Sequence, residues 1–285
     1  MAIFTNQATL SFQNTVVLSN IVTGEVLAPL SVTKTAIGDT YRAGDAVAYA
    51  VSLVNTGAAP LTGLTVTDDL GAYAFGGGTL VPLDYVEGSA RLLVNGVPAA
   101  DPTPTDVSPL TFSPITVPAG GNVVLLYKAT ANAYAPLGED GAIENTVTVT
   151  GACPVTASET VTAVSEPLLG IVKGLAPTTV TPGDTVVYTL TVENSGTVPV
   201  VATDNAVVSD VFDPILADIT VTLDGVPLTE GVGYAYDEET GAFTTLPGAL
   251  PVPAGTVVQD PVTGGFSVIP GTAVLTVTGR VISEC

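Results

Sequence analysis

The chain has 285 residues, which is long enough for two domains of ordinary size. It carries 27 acidic and 6 basic residues, a formal net charge of −21, and this balance argues against nucleic acid or an anionic membrane as a partner. The sequence contains no His, no run of 18 apolar residues that predicts a membrane span, and no N-terminal pattern typical of a signal peptide.

The first 27 residues alternate apolar and polar side chains and predict an extended segment that breaks near Gln13-Asn14. We expect this segment to act as a donor strand, that is, a strand that completes the sheet of another domain. Its candidate core side chains are Ile3 or Phe4, followed by Ala8, Leu10 and Phe12.

Residues 28–165 and 166–285 each predict a domain built from short alternating strands. The chain has 30 Gly and 22 Pro with abundant Val and Thr, and no apolar periodicity extends over three helical turns. Asn95-Gly96 between apolar runs predicts a hairpin with a primed turn, whereas the Gly-rich residues 71–90 predict a loop. The expected fold class is all-β, with two tandem Ig-like β-sandwiches.

The two halves of the chain are related by an internal repeat. Residues 143–149, which close the first half, resemble residues 4–10, and 145 − 6 = 139 is the same offset as 173 − 34. That offset also relates these pairs: Asp45 and Asp184, Tyr49 and Tyr188, Asn55 and Asn194, Gly57 and Gly196. No further copy of the Asn-bearing strand follows residues 272–279. We therefore expect the second domain to lack its last strand, which the N-terminal segment carries instead.

Short motifs follow one another in a specific order in the first half: Lys34-Thr, Gly44-Asp45, Tyr49, Asn55-Thr-Gly57, Val66-Thr-Asp68-Asp-Leu70, Pro118-Ala-Gly and Asn145-Thr-Val. This order resembles the Ig-like conserved repeat found in tandem in large bacterial surface proteins, domain-of-unknown-function family eleven. The resemblance covers both halves of the chain. It implies an Ig-like fold and a place on a bacterial cell or spore surface.

The resemblance also implies a covalent cross-link. In domains similar to these, a Lys on the first strand joins an Asn on the last strand through an isopeptide bond, assisted by an acidic residue. Carried over by position, the first set is Lys34, Asn145 and Asp68. The second domain has Lys173 and Asp210 but departs from the pattern at the Asn, for which the only aligned candidate is Asn6.

The chemistry of such a set is sound from first principles. Burial disfavours the charged form of an amine, so a core lysine can become a neutral nucleophile. A buried, protonated carboxyl group can then shuttle the proton and polarise the amide carbonyl. Two alternatives stay open. The first is that both lysines are ordinary strand-edge residues that protect against aggregation. The second is that the acidic partner is Asp69 instead of Asp68.

A sandwich without its last strand exposes unpaired backbone groups, each costing about 1–3 kcal/mol if it is buried. Either the chain's own N-terminus or that of the next molecule can fill the gap. If the chain's own N-terminus filled the gap, each of the two domains would have to lie downstream of the other within a single chain. A head-to-tail string of subunits is therefore favoured. The expected partner is the chain itself, in a pilus-like filament or spore appendage.

Other function classes have little support. No metal cluster, nucleophile elbow or phosphate loop predicts an enzyme beyond autocatalytic isopeptide formation, and no cofactor or metal is expected. A monomeric adhesin or stalk module that binds a host or glycan ligand is the alternative. Cys153 and Cys285 are either one disulfide, within or between chains, or two free thiols.

Overall fold

The computed structural model describes residues 2–26 and 28–282, and side chains within residues 3–25 and 28–282. The chain forms two compact units, one within residues 1–132 and 143–161, the other within residues 133–142 and 162–285. Within the described residues the regular structure is entirely β apart from one short 3-10 helix, which confirms the predicted fold class. The described residues contain no helix that is long and apolar enough to cross a membrane.

An N-terminal arm comes first and consists of four strands, β1 (Ala2–Asn6), β2 (Thr9–Phe12), β3 (Thr15–Leu18) and β4 (Val22–Val26). Strand β1 pairs with β4 and β2 pairs with β3, both antiparallel, so the arm is a hairpin folded upon itself. The chain reverses at Gln13-Asn14, where the sequence predicts a break, and Gln13 has a positive φ of 51°. Nearly all described side chains of the arm are exposed to solvent.

The first sandwich follows the arm. Its strands are β5 (Leu30–Ile37), β6 (Thr40–Tyr41), β7 (Ala46–Asn55), β8 (Leu61–Asp68), β9 (Tyr73–Phe75), β10 (Gly78–Leu80), β11 (Leu83–Tyr85), β12 (Arg91–Val94), β13 (Val97–Pro98), β14 (Asp106–Val107), β15 (Leu110–Val117), β16 (Asn122–Ala131), β17 (Ala142–Thr150) and β18 (Val155–Ala163). One sheet has the order β13-β12-β16-β7-β5, with β11 also on β16, and the other has the order β14-β15-β8-β17-β18-β6. Alternate residues of the long strands are buried, as expected for sheets packed face to face.

The second sandwich contains β19 (Leu169–Ala176), β20 (Thr185–Asn194), the 3-10 helix Ala202–Asp204, β21 (Ser209–Val211), β22 (Leu216–Leu223), β23 (Val226–Pro227), β24 (Tyr234–Asp237), β25 (Ala242–Thr245), β26 (Thr256–Gln259), β27 (Phe266–Ile269) and β28 (Gly271–Val281). A five-stranded sheet has the order β19-β20-β28-β22-β23, and a three-stranded sheet has the order β21-β25-β24. Strands β26 and β27 pair only with each other among the described strands. Phe212 and Phe243 lie at the centre of this core, with ring centroids 5.6 Å apart.

Equivalent positions of the repeat have the same structural role. Asn55 and Asn194 are both buried at the end of a strand, and each accepts a hydrogen bond from the N–H of the glycine two residues later, at 2.9 Å. The turn at Asn95-Gly96 joins β12 to β13 as predicted, with both residues at positive φ. The prediction of a loop over residues 71–90 was wrong in part, because three short strands lie there, β9 to β11.

Candidate cross-link site

The candidate site of the first sandwich is built on Lys34, in the middle of the edge strand β5. Lys34 pairs with Val51 of β7, and since paired residues share a sheet face, its side chain points into the core with that of Val51. The Lys34 side chain has no exposed surface, and its Nζ atom lies 4.9 Å from the ring centroid of Tyr49. Although β5 is an edge strand, Lys34 does not project from that edge into solvent.

Asp68, the last residue of β8, is the acidic partner of Lys34. Its Oδ2 atom lies 2.6 Å from Lys34 Nζ and accepts a hydrogen bond of 2.5 Å from the Tyr127 hydroxyl. Its Oδ1 atom accepts the backbone N–H of Leu70. Asp69 instead accepts the backbone N–H groups of Gly71 and Thr146, a structural role next to the site.

Asn145 completes the set from β17, the strand beside β8. Strand β17 pairs with β8 so that Val147 faces Asp68, which brings Asn145 to the end of β8. The Asn145 side chain is fully buried and close enough to the hydroxyls of Tyr49 and Tyr127 to affect their pKa values. Neither amide atom has a partner in hydrogen-bond geometry among the described residues. A buried amide in this condition is costly and calls for a chemical explanation.

Burial dominates the electrostatics of this site. It lowers the pKa of Lys34 below its ordinary value, against the opposing effect of the Asp68 carboxylate. Burial also raises the pKa of Tyr127 well above 10, and that of Tyr49 in the same direction. Burial therefore disfavours the charged form of both the Lys34 amine and the two phenols, while Lys34 stays paired with the Asp68 carboxyl group.

The second sandwich repeats part of this arrangement. Lys173 of β19 lies 2.5 Å from Asp210 Oδ2, and its Nζ atom lies 4.8 Å from the Tyr188 ring centroid and 5.5 Å from that of Phe212. The main difference is exposure, because 42% of the Lys173 side chain is open to solvent and that of Lys34 is closed. Val277 takes the place of Tyr127, since it pairs with Tyr188 as Tyr127 pairs with Tyr49.

Lys173 is one of several exposed residues on the core-facing side of β19. Three further residues of β19 lie opposite buried residues of β20 and so face the core side, yet each is between 40% and 54% exposed: Leu169, Ile171 and Leu175. The counterparts of Leu169 and Ile171 in β5, Leu30 and Val32, are at most 9% exposed. In the second sandwich, the core-facing side of the first strand is therefore uncovered.

One sheet edge is also open. In the first sandwich β8 pairs with β15 on one side and with β17 on the other. Its counterpart β21, which carries Asp210, pairs with β25 only, within the part of the chain that the structure describes. The edge on which β17 would have its equivalent is the edge of β21 that has no partner strand.

Asn6 lies in the exposed arm, at the end of β1 and opposite Val22 of β4. Among the described strands, the four strands of the arm pair only with one another. Four predicted donor side chains are largely exposed: Ile3 at 74%, Phe4 at 53%, Leu10 at 66% and Phe12 at 69%. Ala8 is exposed as well.

Cys153 is exposed in the turn between β17 and β18. Its predicted partner Cys285 lies outside the described residues. The described residues contain no group of three or more His, Cys, Asp or Glu side chains placed to hold a metal ion.

The two tyrosines of the first site were not predicted as site residues. Tyr49 and Tyr127 stack with ring centroids 5.6 Å apart; the Tyr49 ring lies under Lys34 Nζ, and the Tyr127 hydroxyl donates to Asp68. The repeat gave a signal for Tyr49, whose counterpart Tyr188 has the same offset. No such signal existed for Tyr127, because its structural counterpart is Val277.

No protein-family model matches the chain, and no curated protein sequence matches it. Among solved structures it is similar to the pilus backbone RrgB of Streptococcus pneumoniae, with 13% identity and a TM-score of 0.34 over 85% of this chain and 55% of that chain. It is also similar to a 35 kDa C-terminal fragment of the major pilin GBS80 of Streptococcus agalactiae, with 13% identity and a TM-score of 0.36 over 86% and 79%. A third similar structure is ACE19, the collagen-binding subdomain of the Enterococcus faecalis surface protein ACE, with 8% identity and a TM-score of 0.29 over 49% and 99%. The chain spans about half of the RrgB chain, and none of these likenesses assigns a function.

Proposed function

We propose that this protein is the structural subunit of an extracellular filament on a bacterial cell or spore surface. Subunits join head to tail, the arm of one subunit entering the second sandwich of the next. Isopeptide bonds lock the assembly, one within the first sandwich between Lys34 and Asn145 and one between subunits, from Lys173 to Asn6.

The observation that carries this proposal is the pair of half-sites within one chain. The second sandwich has a lysine–aspartate pair on an uncovered face beside an open strand edge. The arm has an exposed asparagine within a segment that aligns with β17 at an offset of 139 residues. Because the arm aligns with β17 at the same offset that relates Lys34 to Lys173, each junction between subunits would resemble the junction between the two domains. A contact of this kind, repeated from subunit to subunit, extends in one direction as a filament.

The bond in the first sandwich joins two buried side chains, Lys34 and Asn145. As the neutral amine, Lys34 Nζ attacks Asn145 Cγ, and Asp68 takes the amine proton and passes it to the leaving Nδ2. The Nζ–Cγ bond forms, the Cγ–Nδ2 bond breaks, and one molecule of ammonia leaves. The unsatisfied Asn145 Nδ2 is then removed from the core, and its oxygen becomes the carbonyl of a new amide. The tyrosine hydroxyls lie where they can hydrogen-bond that carbonyl.

The register of the arm in its acceptor is fixed by the same comparison. Val147 faces Asp68 in the first sandwich, so Ala8, which aligns with Val147, faces Asp210 of the neighbouring subunit. Thr148 faces Thr67 in the same way, so Thr9 faces Ser209. By the same offset, we assign Asn6 to the position that Asn145 has on β17, with Lys173 of the neighbouring subunit in the position of Lys34.

Mass spectrometry and denaturing gels test the covalent part. The purified chain should lack the mass of one ammonia molecule, and a proteolytic fragment should join Lys34 to Asn145. Polymers should run as ladders that survive boiling and reductant, with a second fragment joining Lys173 to Asn6. An unmodified mass throughout would remove the covalent claim and leave strand donation to be tested separately.

An engineered disulfide tests strand donation without the isopeptide. In a chain with Cys153→Ser, Cys285→Ser and Lys173→Ala, the pair Thr9→Cys and Ser209→Cys should give oxidised ladders that reductant dissolves. Cross-strand neighbours lie about 4.5–5.5 Å apart, within disulfide range. Thr9→Cys alone is the control and should give at most dimers. A double variant that forms only an intrachain disulfide would show that the arm folds back into its own second sandwich and would overturn the filament.

A further inference from the structure

We propose that the arm is donated as an intact two-stranded hairpin, not as a single strand that must first leave its partner. The second half of the arm, residues 15–26, then supplies part of the cover of the neighbouring core. This inference rests on the proposed function and specifies what passes between subunits. Four observations carry it.

The first observation is that the repeat covers both strands of the arm. The offset of 139 places β17 on residues 3–11 and β18 on residues 16–24. In the first sandwich β17 and β18 are neighbours in one sheet, and the hydroxyls of Thr146 and Ser158 are 2.9 Å apart between them. The arm pairs the equivalent segments with each other over nearly its whole length.

The second observation is that both strands of the pair pack into the first core. Asn145 comes from β17, and β18 beside it buries Val161 and Ala163, which align with Val22 and Gly24 of the arm. One strand alone would reproduce only part of that packing. The exposed face of β19 has three large apolar residues beside Lys173, and covering it also needs two strands.

The third observation is that the paired arm already presents one apolar face around Asn6. Residues opposite each other share a sheet face, which places Val22 beside Asn6, Gly24 beside Phe4, and Val17 beside Leu10. The Phe4 ring lies over Gly24, where an added Cβ atom would come within 2.4 Å of it. The opposite face pairs Thr5 with Thr23, and Ser11 with Val16.

The fourth observation concerns the outer strand edges. The hairpin satisfies the backbone groups of β1 and β2 on one side and leaves the other side of each strand for a new partner. Strand β17 is used in this way, since it lies between β8 and β18. Inserting the hairpin beside β21 therefore adds hydrogen bonds without breaking those of the arm.

A disulfide lock tests whether the arm must open. Thr5 and Thr23 are directly opposite on the face away from Asn6, so Thr5→Cys with Thr23→Cys ties the two strands together. In a chain with Cys153→Ser and Cys285→Ser, the oxidised variant should form filaments at nearly the rate of its reduced form, measured by light scattering and electron microscopy. Filaments from the reduced variant with none from the oxidised variant would overturn hairpin donation and leave the filament standing. Failure of the cysteine-free parent to polymerise would instead overturn the proposed function.

Two neighbouring valines provide an independent test that needs no disulfide. Val17 lies on the Asn6 face and Val16 on the opposite face, and both are more than half exposed in the isolated chain. Since burying a charge without a partner is strongly unfavourable, Val17→Asp should slow assembly by at least about tenfold. Val16→Asp is the matched control and should leave the rate close to that of the parent. Equal rates for the two variants would show that the second strand stays outside the acceptor and would overturn the proposal.

Discussion

At the scale of single residues, the two equivalent lysines of the chain can be compared with each other. Lys34 and Lys173 each contact an aspartate and the face of a tyrosine ring at nearly the same distances. Only Lys34 is enclosed, and burial lowers its pKa. The two lysines differ in what covers them, so reactivity at Lys173 is expected to depend on the arrival of another segment. Under the proposed function, cross-linking at Lys173 would then follow assembly.

Replacing Asn145 removes the acceptor of the internal bond. The bond would close a loop of 145 − 34 = 111 residues, and loop entropy predicts about 4–5 kcal/mol of stabilisation for a closure of that length. Asn145→Ala should therefore retain the mass of the unmodified chain and lower the Tm of the first sandwich by roughly 10–20 °C. Calorimetry and mass spectrometry measure the two effects.

The control for this variant is Lys128→Ala, since Lys128 is the third lysine of the chain and is exposed. It should keep both the mass loss and the Tm. Like Asn145→Ala, Asp68→Asn should have the unmodified mass, because the group that accepts the lysine proton has been removed. An Asp68→Asn chain that forms the bond at the normal rate would contradict the role given to Asp68.

The buried tyrosines predict a loss of stability at high pH. Burial raises the pKa of Tyr41, Tyr49 and Tyr127 in the folded chain, so above pH 10 the unfolded chain releases phenolic protons that the folded chain retains. The folded state then binds more protons, and the free energy of unfolding falls as pH rises, by up to about 1.4 kcal/mol per pH unit for each tyrosine.

Urea unfolding between about pH 9 and 11 tests this prediction. Tyr127→Phe should show a shallower fall above pH 10 than the wild type, because one ionisable group has been removed. The variant also loses the hydrogen bond to Asp68, so its stability below pH 9 should be lower. An unchanged slope would mean that Tyr127 ionises as readily in the folded chain as in the unfolded one.

At the scale of strands, the two sandwiches differ at one position in the sheet. Strand β8 has neighbours on both sides, whereas β21 has only β25 among the strands described. Unpaired edges are sites at which another chain can add a strand. The exposed apolar arm is therefore suited to add a strand at the open edge of β21.

Hydrogen exchange should report this difference directly. The amides of Ser209 and Val211 are expected to exchange quickly in the free subunit and slowly in the filament, since a new strand covers them. The amides of Thr65 and Thr67 in β8 are the matched control and should be protected in both states. Equal protection of β21 in the two states would contradict insertion at that edge.

Much of this architecture was predictable from sequence because the repeat is a matter of arithmetic. The offset of 139 predicted that Asn55 and Asn194 are equivalent, and the structure gives them the same hydrogen bond. The break at Gln13-Asn14 was also predicted, but not the pairing of the strands on either side of it. Strand pairing depends on contacts distant in sequence, and so does the position of Tyr127 opposite Tyr49, which no local pattern reveals.

At the scale of the whole molecule, the charge of −21 and the exposed arm act in opposite directions. Like charge on every subunit opposes association, and burial of apolar arm residues favours it. In the proposed filament the arm contact must outweigh this repulsion, so assembly is expected to become faster as salt screens the charge.

Lys173→Ala separates assembly from cross-linking. The variant should still form filaments, because arm insertion needs only strand pairing and apolar burial, but boiling in detergent should return them to monomers. Lys34→Ala is the matched control and should keep the ladders that resist boiling while losing its internal bond. Ladders of wild-type strength from Lys173→Ala would show that a different group links the subunits.

The positions of Lys34 and Asn145, on the first strand of a sandwich and on a strand near its end, have a mechanical consequence. Tension applied along a cross-linked filament would enter at Asn6, pass to Lys34, cross the amide bond to Asn145 and leave toward Lys173. Residues 35–144 would carry no load, because the amide bond bypasses them, and only residues 7–33 and 146–172 would lie on the path of the force. Pulling would therefore not unravel strands β6 to β16.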